Sequence, residues 1–188
     1  MNAPDKGRII LLLTQGIAVT KFGRTAADIV SCLDYICREE AGMTSSREEF
    51  EAGYCLTLEA DVQWRDMDAF QHVNNISYLI WFERIRIAFM ERFGGDEYHQ
   101  ADGVAPVLAS VQCQYRFPLT YPDQILIGVA VREIKEDSFI QEYAVYSLGH
   151  NVVAARGEGR VVYFDFNKGG KTATPPGLKA RLLDLAGE

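Results

Sequence analysis

The sequence is short of the features that commit a chain to the commoner specialised classes. Only four of its 188 residues are cysteine and three are histidine. Cys32, Cys37, Cys55 and Cys113 show no C-x-x-C spacing, which excludes a zinc ribbon or a dithiol redox motif. They are expected to be reduced thiols in a cytoplasmic protein, packed as small hydrophobes. No metal site and no cofactor is expected. No run approaches the roughly 18 apolar residues of a membrane span. Ile9–Leu13 follows Lys6 and Arg8, but Thr14-Gln15-Gly16 breaks it and no clean cleavage site follows, so it does not read as a secretory signal. Basic residues are in deficit, 19 Lys and Arg against 26 Asp and Glu, for a net charge of −7. That excludes a general nucleic-acid binder, while leaving room for a local basic pocket. No GxGxxG, P-loop, HExxH or GxSxG motif is present.

What remains is a chain that is 48% hydrophobic and 11% aromatic, enough for one core-bearing domain. Residues 1–53 read as a helical extension and linker, and residues 54–188 as the main domain with a short tail. Within the extension, Thr25–Asp28 resembles a capping box. Ile29, Cys32, Leu33 and Ile36 then recur at helical spacing, so 26–41 is expected to be a helix. Residues 9–19 fit strand or helix equally. Residues 43–53 are polar and expected to be a loop, and Met43 would make a natural start for the domain behind it.

From Tyr54 to Trp64 apolar and polar residues alternate, which predicts a long strand with one face on a core. An Asp- and Asn-rich loop covers 65–75. Residues 76–93 then carry apolar side chains on nearly every side of a helical wheel, which predicts a buried helix about 27 Å long. Four more strand-like runs follow, 107–117, 125–135, 138–148 and 152–166, with turn residues between the last three. A short helix near 177–186 ends the chain. Short links imply antiparallel neighbours, and a strongly curved sheet is the simplest way to wrap a long apolar helix. The expected class is α+β.

Asp66, Asp68, His72, Asn74 and Asn75 stand immediately ahead of that helix. A helix N-terminus offers unpaired N–H groups and a positive dipole end, a ready oxyanion site. The run Asp68-Ala69-Phe70-Gln71-His72-Val73-Asn74-Asn75, with Tyr78 and Phe82-Glu83 after it, resembles the acyl-CoA thioesterases of the hotdog fold. Within these it is most similar to the 4-hydroxybenzoyl-CoA thioesterase-like family, over about residues 54–166. The resemblance implies a hotdog fold of about five strands around a central helix. It implies hydrolysis of a fatty or aromatic acyl-CoA to free acid and CoA, where CoA is part of the substrate. An acyl-carrier-protein thioester would suit the same machinery. Asp68 is implied as nucleophile or general base, the Asn75 N–H as oxyanion donor, and His72 as a further catalytic residue. Asn74, Gln71, Trp64 and Tyr78 are implied at the substrate, and a homodimer or homotetramer as the assembly.

Each residue also has a structural explanation. Asp66 suits a loop-bonding acid, His72 a loop-orienting one, and Asn74 and Asn75 suit caps and turns. Trp64 falls on the apolar face of its strand and suits the core. Glu83, the acid of another hotdog branch, can pair with Arg86. Arg84, Arg116 and Lys135 are candidates for CoA phosphates or plain surface charges. Gln71 departs from the family pattern, where glycine stands and permits a positive φ or a close approach. Two other functions fit the resemblance: a non-catalytic acyl-CoA-binding protein, and a lipid-responsive regulator with a DNA-binding extension. The extension carries five basic and five acidic residues, which disfavours the regulator.

Overall fold

The computed structural model describes residues 46–95 and 103–187. The helix expected over 26–41 and the stretch 9–19 lie outside them.

The first described element corrects an expectation. Residues 43–53 read as a polar loop, yet Arg47–Ala52 form a helix, α1. Ser46 caps it reciprocally: its hydroxyl accepts from the Glu49 N–H, and the Glu49 carboxylate accepts from the Ser46 N–H. Phe50 is the one buried side chain of α1. It stacks on Tyr146 at 5.1 Å and leans on Tyr54 at 4.7 Å. With Leu126 and Ala144 these form a small second core on the outer face of the sheet. A single anchor in a polar segment has no periodicity to detect, so composition alone pointed to a loop.

The sheet is antiparallel, in the order β1-β3-β4-β5-β2. Its strands are β1 (Leu56–Val62), β2 (Val104–Tyr115), β3 (Asp123–Arg132), β4 (Ser138–Ser147) and β5 (Val152–Asp165). A two-residue β6 (Gly170–Lys171) pairs with the end of β5. β1 is shorter than the alternation from 54 to 64 predicts, because the chain leaves the sheet after Val62 and turns through a 3₁₀ segment, Trp64–Asp66. Trp64 is therefore off the strand and 73% exposed, not on a core face.

The long helix α2 (Asn75–Phe93) lies across the inner face, packed against β3, β1 and β4. Tyr78, Trp81, Phe82, Ile85, Phe89 and Met90 enter the core. The expectation that α2 is buried all round does not hold. Ile76, Ile80 and Ile87 are 63%, 51% and 41% exposed, because one sheet covers only one side of a helix. A third helix, α3 (Pro176–Ala186), closes the core with Leu178 and Leu182. Its Arg181 guanidinium donates to the carbonyls of Phe93 and Gly94, satisfying the C-terminus of α2.

Two details set how the helix meets the sheet. β5 carries Gly157 and Gly159 on its inner face. A Cβ at 157 would stand 2.5 Å from the Phe82 ring and 2.6 Å from the Gln112 carbonyl oxygen. One at 159 would stand 2.9 Å from the Tyr143 hydroxyl. Phe82 and Tyr143 stack at 4.8 Å in the space the glycines leave. β2 also breaks its register against β5 between Leu108 and Ser110. The alternation expected along 107–117 thus switches phase: Leu108 faces inward before the bulge, and Val111, Cys113 and Tyr115 share the inward register after it.

Candidate active site

The loop between the 3₁₀ segment and α2 is held by its own backbone. The Asp68 N–H donates to the His72 carbonyl at 2.8 Å, and the Gln71 N–H to the Asp68 carbonyl at 3.1 Å. The Val73 N–H donates to Leu119 at 2.8 Å, which ties the loop to the segment after β2. The Asn74 N–H donates to the Asp66 carbonyl at 2.7 Å, and that carbonyl also accepts from the Ser77 hydroxyl at 3.4 Å. Asp66 further caps the 3₁₀ turn through its carboxylate, at 2.8 Å from the Gln63 N–H. These contacts of Asp66 are all structural.

Asp68 is different. One carboxylate oxygen accepts the Phe70 N–H at 2.7 Å and stands at the limit of reach, 3.5 Å, from the His72 N–H. The other oxygen has no partner among the described residues. The side chain is half-buried. A carboxylate oriented by backbone donors on one oxygen and open on the other can act as a nucleophile or a base.

Asn74 is the N-cap of α2, and its amide oxygen accepts from the Ile76 N–H at 3.0 Å. That oxygen is used up by the helix. Asn75 is the first helical residue, and its N–H has no acceptor among the described residues. It is one of the orphan donors at the positive end of the dipole. The loop thus brings an open carboxylate oxygen and an open N–H to the start of one helix.

The other expected residues distribute as follows. His72 is half-buried, and it bonds to the loop through its backbone N–H and carbonyl. Gln71 is exposed with φ +64°, in the left-handed region. The conformation that glycine would allow is retained by a residue that pays for it in strain. Tyr78 is buried, edge-on to both Trp81 and Tyr115 at 5.1 Å. Trp64 is edge-on to Tyr121 at 5.9 Å. Both line an open depression of about 760 Å³ with Asp61, Gln63 and Asp123, which Asp68 and Asn75 do not line. Glu83 is a surface residue 3.7 Å from Arg86.

Tyr115 was not singled out from the sequence. Its hydroxyl donates to the Asn75 carbonyl at 3.3 Å, and it faces Cys113. The residue is 43% exposed, and the partial burial of its hydroxyl end, with the neighbouring thiol, pushes the phenol up to about 12. Burial likewise pushes the Cys113 thiol up to about 11. Tyr115 is thus a neutral donor beside the helix start over the whole physiological range. The signal available was its place in the alternation of 107–117, but only the register of β2 on β5 brings it to α2. Among the described residues no cluster of His, Cys, Asp or Glu could hold a metal ion, and no helix is long and apolar enough to cross a membrane.

This architecture is found in known proteins. The chain is 24% identical over 105 residues to the uncharacterized protein YsmA of Bacillus subtilis strain 168, covering 56% of this chain and 67% of that one. A thioesterase from Thermus thermophilus, crystallised with coenzyme A and Zn, is 26% identical. The match covers 72% of this chain and 97% of that one, with a TM-score of 0.63. A thioesterase-superfamily structure from Jannaschia sp. CCS1 shares the fold at TM-score 0.66 and 22% identity, over 90% of this chain and 98% of that one. The curved sheet and long helix are those of the hotdog fold. The model of the thioesterase-like superfamily matches residues 62–182, more than half of the sequence, and the chain belongs to that superfamily.

Proposed function

We propose that the protein hydrolyses an acyl-CoA thioester to the free acid and CoA, with Asp68 and the N-terminus of α2 as the reacting site. One observation carries this: the loop from Asp68 to Asn75 presents a carboxylate oxygen and a helix N–H that have no partner among the described residues, both just at the start of α2. Asp68 either attacks the thioester carbonyl or removes a proton from the water that does. The carbonyl oxygen takes up the negative charge and is met by the Asn75 N–H and the helix dipole. The C–S bond then breaks and the CoA thiolate leaves: in the general-base route it takes the proton that Asp68 removed from the attacking water, and in the nucleophilic route it leaves an acyl anhydride on Asp68, which a second step hydrolyses, water giving its oxygen to the acid and its protons to the products. Tyr115 positions the helix start through the Asn75 carbonyl, and His72 holds Asp68 through the loop. Gln71, Asn74 and Tyr78 border the acyl group, and Trp64 lies on the approach. A carrier-protein thioester is the alternative form of the substrate.

The reading includes a homodimer or a homotetramer in the cytoplasm. Among the described residues the 12-residue strand β2 is an edge with an open row of backbone groups, and Val107, Val111 and Tyr115 on it are exposed. The uncovered side of α2 lies open as well. A second copy would cover both. Sedimentation equilibrium checks this, and a monomer at all concentrations would remove it.

The chemistry is tested by free-thiol release from short, long and aromatic acyl-CoAs, with Asp68→Asn alongside. Turnover that falls at least about a hundredfold, near 2.7 kcal/mol, is expected. Equal rates in both proteins would discard Asp68 and turn attention to Glu83.

A further inference from the structure

The depression beside Trp64 takes no part in the proposed chemistry, yet two of its walls are aromatic. Trp64 and Tyr121 are 73% and 48% exposed, and their rings meet at 90° to form a corner. The corner is braced. The Trp64 carbonyl accepts the Met67 N–H at 3.2 Å, and the Tyr121 N–H donates to the Met67 sulfur at 3.3 Å. Met67 in turn packs on the main core. The volume of about 760 Å³ is that of a small-molecule site.

The charge on the lining has one sign. Asp61 and Asp123 line the depression, and no Lys, Arg or His does. Asp123 is only 8% exposed. Its carboxylate accepts the Gln124 N–H at 2.8 Å, the Gly149 N–H at 3.0 Å and the Ser147 hydroxyl at 2.6 Å, all from neutral donors. Asp61 accepts the Gln124 side-chain amide at 3.0 Å on one oxygen, and its other oxygen has no partner among the described residues. Arg65 and His150 follow lining residues in sequence but do not line the depression themselves. Two carboxylates thus share a hollow with two rings and no counter-charge.

This chemistry selects its ligand. The face of an aromatic ring is negative and attracts a cation, and the attraction adds to that of the carboxylates. A phosphate or a carboxylate would be repelled by both. A compact inorganic cation would lose its water shell for little return, whereas an ammonium covered by alkyl groups gives up little water and also covers the rings. We infer that the depression binds a small organic cation of the N-alkylated ammonium class, between the rings of Trp64 and Tyr121 and beside Asp61 and Asp123. The inference goes beyond the thioesterase reading and does not rest on it, since Asp68 and Asn75 do not line the depression.

The test is calorimetric titration of the full chain with choline and with 3,3-dimethyl-1-butanol, which has the same shape and no charge. Saturable binding of choline is expected, at least tenfold tighter than that of the alcohol. Trp64→Leu should weaken it at least fivefold, while Trp64→Phe, which keeps a ring, should lose less. Asp61→Asn should weaken choline and leave the alcohol unchanged. Both positions are exposed, so the variants should fold, and circular dichroism checks this. Trp64 and Trp81 are the two tryptophans of the chain, and Trp81 is buried. A choline-dependent change in tryptophan emission should therefore appear in the wild type and vanish in Trp64→Leu. Equal binding of the two probes, no binding of choline, or folded variants that bind choline as the wild type does would each overturn the inference. So would displacement of choline by CoA, which would make the depression a nucleotide seat.

Discussion

At residue 71 the ordinary order of alanine and glycine should invert. At a position with negative φ, replacing Gly by Ala stabilises a protein by about 0.4–1 kcal/mol, because alanine has fewer unfolded conformations to lose. Gln71 has φ +64°. There a Cβ costs roughly 1–2 kcal/mol in the folded state, and glycine escapes it. Setting the two against each other, Gln71→Gly should exceed Gln71→Ala by about 0.5–1 kcal/mol. The side chain is exposed, so its removal contributes little to either variant. Gln71→Val should be the least stable of the three, since β-branching aggravates the left-handed region. Urea unfolding decides the matter, provided the slopes match and only the midpoints move. For a chain of this size the Gly–Ala difference corresponds to about 1–4 °C in Tm. An alanine variant more stable than the glycine variant would refute the strain, and with it the claim that this loop holds a glycine conformation without glycine.

Gly157→Ala should destabilise by about 1–3 kcal/mol, because its new methyl meets the Phe82 ring and the backbone of Gln112, and the latter cannot rotate away; chemical denaturation measures it. Phe50→Ala should cost about 3–5 kcal/mol by emptying the outer-face core, and thermal unfolding would show it as a loss of several degrees. With its phenol raised to about 12, Tyr115 keeps its proton in the folded state where an unfolded tyrosine has lost it, so its contribution is complete below pH 10 and declines from pH 10 to 12; ultraviolet titration should show one high-pH tyrosinate step missing in Tyr115→Phe. Cys113, raised to about 11, should react with a disulfide reagent at about pH 8 well below the rate of a free thiol and speed up on unfolding.

Much of this was legible from residue order. The strand and helix spacings and the apolar helix point to a curved antiparallel sheet along a long helix, and the elements lie there; the Asp–Asn loop falls at the start of α2, where the reacting site is proposed. The departures have specific causes. α1 depends on Ser46 and Glu49 exchanging hydrogen bonds and on Phe50 finding Tyr146, a partner 96 positions away. The side of α2 that stays open cannot be told from the covered side when both are apolar. Trp64 fits the alternation of β1, and only the departure of the chain after Val62 removes it from the sheet. Tyr115 reaches the start of α2 only through the register of β2 on β5, and the bulge between Leu108 and Ser110 resets that register in the middle of an otherwise regular alternation.

Gly157 and Gly159 carry a consequence for how this sequence can vary. The space occupied by Phe82 and Tyr143 is made by side chains that are missing, and nothing smaller than glycine exists. Random change at either position can only add atoms, so the route is one-way: each step narrows the bed of the helix, and a second mutation at Phe82 or Tyr143 would have to yield room in return. The aromatic pair can be trimmed while the glycines stay, but the glycines cannot grow while the pair stays. Variation at these sites should therefore begin on the helix and on β4, with β5 following.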